Sequence, residues 1–141
     1  MTNCREAIAA VRACADTMEL QAASLLRLPP NVPMAEGLRA TVVELGTRLR
    51  DASSRVTFEL ALLQAELSEN KADTETAVQR LSLMDATMMG ALETVPDVVD
   101  QLEKSAERDE QYEPVFVLVI EAAGVMLQAL ENARAATLRI S

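Results

Sequence analysis

The chain has 141 residues, of which 50% are hydrophobic and 2% aromatic, and its formal net charge is −9 at pH 7. This length suits one domain, and this hydrophobic content argues against disorder because it supplies enough apolar surface for a core. Many alanines and leucines with few glycines favour helices, so the sequence predicts an all-α fold. The chain contains no histidine, which excludes phosphohistidine relays, histidine-bound metal or haem, and Ser–His or Cys–His nucleophile pairs.

The negative charge is concentrated in one segment. Residues 71–113 carry eleven acidic and four basic side chains, whereas residues 114–141 carry two of each. Nucleic acids and anionic membranes attract positive surfaces, so we expect no nucleic-acid partner. The acidic segment either attracts a basic partner or keeps an apolar bundle soluble. Charged residues interrupt the first 28 positions, so no signal peptide is predicted and we expect a cytoplasmic protein.

Two amphipathic helices are predicted in the first half of the chain, over residues 3–28 and 34–68. Apolar residues recur in the first helix at alternating spacings of four and three, the heptad pattern of packed helices. They are Cys4, Ile8, Val11, Ala15, Met18, Ala22 and Leu25. The sequence PPNVP then ends this helix because proline cannot continue it. In the second helix the apolar row steps from Val56 to Leu60 instead of Glu59, which is a stutter in the heptad.

The third predicted helix covers residues 74–110. The preceding sequence SENKAD is polar and ends in a capping residue, Asp73, so we interpret it as a turn between antiparallel helices. A continuous helix through SENKAD is the alternative, since neither proline nor glycine forces a stop. Pro96 lies inside the third helix and is predicted to kink or break it.

The fourth predicted helix covers residues 114–140 and includes the most apolar run of the chain, VFVLVIEAAGVMLQAL. The first six letters alone would also suit a buried strand, but the apolar pattern continues far beyond strand length, and Pro114 suits a first helical turn. We do not expect a membrane span, because a span needs about 20 apolar residues with few charges and Glu121 interrupts the run. Four helices with short loops predict an antiparallel four-helix bundle with a long central hairpin, as a single domain over residues 1–141.

The fourth helix has more apolar residues than one bundle should bury, since a core-facing helix needs about three apolar positions in seven. A large exposed apolar patch usually marks an interface. We therefore expect a protein partner or a homodimer at a face formed by the fourth and first helices. The candidate residues are Val115, Val119, Ala122, Met126, Ala129, Leu20 and Leu26.

A polar layer is predicted in the central hairpin. If the turn lies near residues 70–72, the acids that interrupt the two heptad rows, Glu59 and Asp85, fall at one level. Arg55 lies within reach of that level, so we expect it to pair with Asp85 and to fix the register. The alternative is that Met84 and Leu60 take the core positions and the charged residues are exposed.

No catalytic, cofactor or metal motif is found in the sequence. The four glycines are isolated, so no phosphate-binding loop is predicted. Cys4 and Cys14 lie ten residues apart on one predicted helix, about 15 Å along its axis, which is too far for a disulfide. We expect Cys4 in the core row and Cys14 at its edge, both reduced.

The function that these features favour is that of a non-enzymatic interaction protein of the chaperone, adaptor or regulator type, without a cofactor. One alternative is a self-assembling or surface-coating protein, since amphipathic helices can coat a hydrophobic body. Another is a carrier that holds a small apolar ligand in the bundle interior.

Overall fold

The computed structural model describes residues 2–27 and 34–140, so the PPNVP segment, residues 29–33, lies outside the described residues. It contains α1 (Thr2–Leu26), α2 (Glu36–Ser68), α3 (Thr74–Leu92), α4 (Val95–Arg108) and α5 (Glu113–Leu138), with a 3₁₀ turn at Glu110–Tyr112. No strand occurs in either described range, so the all-α prediction is confirmed. The apolar run that begins at Val115 is helical as predicted, and not a strand.

The helices α1 and α2 pack side by side and run in opposite directions. The Arg12 guanidinium donates to the Gln64 side chain at 2.6 Å, and further along α1 the Ser53 hydroxyl donates to the carbonyl of Ala15 at 2.7 Å. All seven residues of the predicted heptad row of α1 are buried. Because Ser53 is itself buried, its hydrogen bond provides the partner that a polar group in a core requires.

The stutter in α2 has the predicted consequence. Leu60 and Leu63 are buried, whereas Glu59 is only partly buried at the edge of the core. The core therefore follows the shifted apolar row, and the acid stays in contact with water, where its charge is solvated.

The segment between α2 and α3 is a turn, as predicted. The backbone N–H of Thr76 donates to the Asp73 carboxylate at 2.8 Å, and this capping bond lowers the pKa of Asp73 below its usual value. Asn70 has a positive φ of 57°, in the left-handed region that asparagine tolerates better than most residues. These two local features end α2 and start α3 without proline or glycine.

Of the two outcomes that the sequence left open at Pro96, a kink or a break, the structure has a break, so residues 74–110 contain two helices. The helix α3 ends at Leu92, and α4 begins at Val95 with Pro96 in its first turn. Proline has no N–H to donate to the carbonyl four residues earlier, and its ring crowds that carbonyl. Pro96 is accommodated in the first turn of α4, where a missing donor costs nothing.

The helix α5 contacts α1, α3 and α4, whereas α2 contacts α1, α3 and α4 from the other side of the molecule. The Asn3 side chain donates to the carbonyl of Arg139 at 3.0 Å, so α5 runs antiparallel to α1. The backbone N–H of Ala35 donates to the hydroxyl of Tyr112 at 3.0 Å, which joins the start of α2 to the turn before α5. The helices α2 and α5 thus contact the same three helices but make no substantial contact with each other.

Candidate interaction surfaces

The apolar face predicted from the sequence does not lie on the surface. Val115, Val119, Ala122 and Met126 are buried, and each is at most 2% exposed, so no partner can reach them in this fold. Ala129 and Leu26 are partly buried. Of this set only Leu20 is exposed, at 66%, on the side of α1 that is turned away from the core. The predicted residues therefore include the inner face of α5 and do not form one surface.

The uncovered apolar surface of α5 is the neighbouring face of the same helix, which we name the α5 outer face. It consists of Val117, Ile120, Gly124, Leu127 and Leu138, which recur at the helical period and are all exposed. A Cβ atom added at Gly124 would have no other atom within 4 Å, so the centre of this face is open. The sequence indicated the right helix but the wrong face of it.

The helix α5 is also long and apolar enough to cross a membrane, judged by length and composition alone. The segment Glu110–Leu138 contains a window with a mean hydropathy of 1.7, and 28% of that window is buried inside the molecule. Core helices of soluble proteins meet the same criterion, so this is weak evidence for a span. Most apolar residues of the run lie in the core or pack against it, and the exposed ones are Val117, Ile120, Gly124, Val125 and Leu127.

A second apolar surface lies between α2 and α3, which we name the α2–α3 groove. Its volume is about 640 Å³, and its lining includes Leu62, Leu83, Met84, Arg55 and Arg80. Leu83 is 66% exposed on one side. On the other side Phe58, one turn before Leu62, is 65% exposed, although an aromatic side chain gains more from burial than most.

The two arginines of the groove differ in their ion pairs. The guanidinium of Arg80 lies 2.8 Å from the carboxylate of Glu66, which links α3 to α2. Arg55 forms no salt bridge with any residue in the described ranges. The groove therefore combines apolar side chains with two arginines, of which Arg80 has an ion pair, and with Glu59, which lies one helical turn from Arg55.

Within residues 2–27 and 34–140, no group of three or more His, Cys, Asp or Glu side chains is arranged to hold a metal ion. Comparison with known proteins gives no match: no family model, curated protein or solved structure is significantly similar to this chain.

Asp85 is paired, but not with the residue that the sequence suggested. The Arg134 side chain of α5 donates twice to the Asp85 carboxylate, at 2.7 Å from Nε and 3.0 Å from Nη2. The hydrogen bonds to Asp85 raise the pKa of Arg134 above its usual value. Arg55 is exposed at the α2–α3 groove instead. The core positions at this level belong to Met84 and Leu60, so the predicted Arg55–Asp85 layer is wrong.

We expect the Asp85–Arg134 pair to contribute about 1 kcal/mol to stability, because it is bidentate and partly shielded from water. The Asp85→Ala variant should therefore lose about that much free energy of unfolding in urea denaturation. The Arg55→Ala variant is the matched control and should be unchanged within about 0.5 kcal/mol. A loss in Arg55→Ala equal to that in Asp85→Ala would instead support the pairing that the sequence suggested.

Both cysteines are free thiols and both are buried. Cys4 borders a groove of about 590 Å³ between the start of α1 and the end of α2. Cys14 is fully buried, which corrects the prediction that it lies at the edge of the core. Burial raises the pKa of the Cys14 thiol to about 11, and the negative charge of Asp85 adds to the effect.

Proposed function

We propose that this protein is a non-enzymatic interaction protein of the chaperone, adaptor or regulator type. We further propose that its architecture is an antiparallel four-helix bundle in which α3 and α4 together occupy the place of the third helix. The observation that carries the functional proposal is the α2–α3 groove, where large apolar side chains remain exposed beside an arginine without an ion-pair partner. Burying such side chains is the usual source of affinity in protein interfaces.

The partner segment that fits this groove is an amphipathic helix. The groove lies between two antiparallel helices, and a helix that follows it can insert a row of apolar side chains at the spacings i, i+3, i+4 and i+7. The groove extends along α2 from Arg55 to the level of Glu66, where Arg80 is held. The eleven residue steps from Arg55 to Glu66 correspond to about 16 Å, so the partner helix needs about three turns.

Charge complementarity specifies the polar edge of that partner helix. Arg55 lies at one end of the groove without an ion pair, whereas Arg80 at the other end already has Glu66. An acidic side chain of the partner beside Arg55 would pair with it, whereas Glu59, one turn further along α2, would repel an acid placed next to it. We therefore propose a partner helix with an apolar face and an aspartate or glutamate at the end nearest Arg55.

The test is a selection of helical peptides of roughly 16 residues, long enough to follow the whole groove, from a random display library on the purified protein. Dissociation constants of the selected peptides are then measured by fluorescence anisotropy. We expect an apolar row at helical spacing with an acid at one end. We also expect Leu83→Glu to weaken binding at least about tenfold, because it places a charge in an apolar contact. Reversing the charge with Arg55→Glu should weaken the binding of acidic peptides and strengthen that of variants with lysine at the acidic position.

The matched control is Leu20→Glu, because Leu20 is as exposed as Leu83 but lies on the outer side of α1. This variant should bind the selected peptides like the wild type. Selected peptides that bind Leu83→Glu and wild type equally would contradict the groove as the binding site. A selection that yields no helical binder would contradict the proposed function itself.

A further inference from the structure

The α5 outer face has the spacing of a helix–helix interface. Val117, Ile120, Gly124 and Leu127 follow one another at intervals of three, four and three residues, the pattern by which one helix packs along another. Nothing in the described part of the chain covers them. Gly124 at their centre would allow the backbone of a second helix to approach closely.

We propose that the α5 outer face binds a second copy of this chain, with the two α5 helices antiparallel and a two-fold axis passing next to Gly124. Such an isologous interface requires that the face be complementary to itself. This proposal does not rest on the α2–α3 groove, because α2 and α5 make no substantial contact with each other and the groove stays open in the dimer.

The side chains on either side of Gly124 would meet side chains of matching chemistry across the two-fold axis. On one side of the face lie Ile120 and Leu127, four residues before Gly124 and three residues after it. Antiparallel pairing about Gly124 therefore sets Ile120 of each copy next to Leu127 of the other. On the other side lie Glu121 and Gln128, and the same axis sets each Glu121 against Gln128 of the second copy. The Gln128 amide donates one hydrogen to Asn132 within its own helix, at 3.1 Å, and retains a second hydrogen for the Glu121 carboxylate.

The opposite orientation does not give this match. A parallel two-fold pairing would set the Ile120–Leu127 side of one helix against the Glu121–Gln128 side of the other. That arrangement would bury a carboxylate against apolar side chains, which is costly without a hydrogen-bond partner. The antiparallel pair also sets Val117 against Glu131 of the second copy, but Glu131 is exposed and this contact lies at the end of the pair, away from Gly124. Charge at the centre of the contact therefore favours the antiparallel pair.

Electrostatics also favours a second copy over other occupants of this face. Two molecules of net charge −9 repel each other, but residues 114–141 carry two acidic and two basic side chains and are locally neutral. The two chains can thus approach through α5 with less repulsion than through the acidic segment 71–113. A lipid surface fits less well, because Glu121 lies close to the centre of the face and a carboxylate is expensive among acyl chains.

The experiment is disulfide cross-linking through Gly124→Cys. A side chain at this position meets no atom within 4 Å, so the variant keeps the fold, and the native cysteines are buried and stay unreactive. Two Cys residues beside the two-fold axis lie within disulfide reach, so mild oxidation should give a covalent dimer on a non-reducing gel. Gly90→Cys is the matched control, because Gly90 is equally open but lies on the side of α3 that borders α2, and it should remain uncross-linked.

Orientation and oligomeric state are measured with three more variants. Val117→Cys should not cross-link to itself, since the antiparallel arrangement separates the two Val117 positions by about 21 Å. In static light scattering the wild type should have twice the 15.3 kDa mass of one chain. Leu127→Glu should shift the mass to that of one chain, whereas Leu20→Glu should leave it unchanged. Leu127→Glu should still bind the peptides selected for the α2–α3 groove, which separates this test from that of the proposed function.

Three outcomes would overturn the proposal. The first is a wild type that stays monomeric at high micromolar concentration, whether or not Gly124→Cys cross-links by collision. The second is self-cross-linking of Val117→Cys as efficient as that of Gly124→Cys, which would require parallel helices. The third is a monomer that co-sediments with phosphatidylcholine vesicles and loses this binding in Leu127→Glu, which would assign the α5 outer face to lipid.

Discussion

Replacing Gly46 with leucine should lower the free energy of unfolding by about 3 kcal/mol, at the upper end of the range for overpacked cores. Gly46 is buried where α2 meets α1, and a Cβ atom added there would lie 2.9 Å from Cγ of Leu26 and 3.5 Å from the carbonyl oxygen of Ala22. The first distance is shorter than carbon atoms tolerate, so α1 must shift or Leu26 must leave its place. A complete leucine side chain adds three further carbons to the same space.

The matched control is the same substitution at Gly90, which is also helical but has no neighbouring atom within 4 Å of an added Cβ. Gly90→Leu should raise the free energy of unfolding by about 0.5 to 1 kcal/mol, because glycine is a poorer helix former than leucine. Both values are measured by urea denaturation followed by circular dichroism. If Gly46→Leu is as stable as the wild type, α1 and α2 do not approach closely at this residue.

The close approach at Gly46 could not be predicted from the sequence, where glycine in a helix counts only as a weak helix former. The heptad rows were predictable for a physical reason. In α1 and α2 one face is apolar and the other carries the charges, so the helix orientation that buries the apolar face also leaves the charges in water. The stutter at Leu60 was visible for the same reason, since Glu59 cannot be buried without a partner.

The orientation of α5 was harder to predict because apolar residues occupy almost every side of it. The buried row from Val115 to Ala136 is apolar throughout, whereas the neighbouring row through Ile120 and Leu127 meets Arg134. The row without a charge is the one that lies in the core. The arginine therefore indicates which of the two rows faces water, and the uninterrupted row is the one expected in the core.

The partner of Asp85 could not be predicted from the register of the central hairpin, because that register relates only α2 and α3. Its actual partner, Arg134, lies 49 residues away on α5. The rotation of α3 that points Asp85 towards α5 instead of α2 depends on how all the helices pack together. The register between two helices sets which residues lie at the same level, but it does not set the rotation of either helix about its axis.

Raising the pH from 9 to 11 should destabilise the protein by about 2 kcal/mol through the Cys14 thiol alone. Its pKa rises from an ordinary value of 9.0 to about 11 in the folded state, first because the thiol is buried and then because Asp85 is close. Below pH 9 both the folded and the unfolded chain hold this proton, so stability does not depend on it. Between pH 9 and 11 the unfolded chain releases the proton while the folded chain keeps it, and each pH unit then costs about 1.4 kcal/mol.

The measurement is urea denaturation of the wild type and of Cys14→Ala at pH 8, 9, 10 and 11 under reducing conditions. The cavity left by Cys14→Ala lowers the free energy of unfolding by an amount that does not depend on pH. The substitution also removes the titrating thiol. The difference in unfolding free energy between the two proteins should therefore shrink as the pH rises through this window. The contributions of all other groups cancel, because both proteins contain them. Cys4→Ala retains Cys14 and should lose stability with pH like the wild type. A difference between wild type and Cys14→Ala that stays constant from pH 8 to 11 would mean that the folded protein exposes this thiol to water, which would contradict its burial in the core.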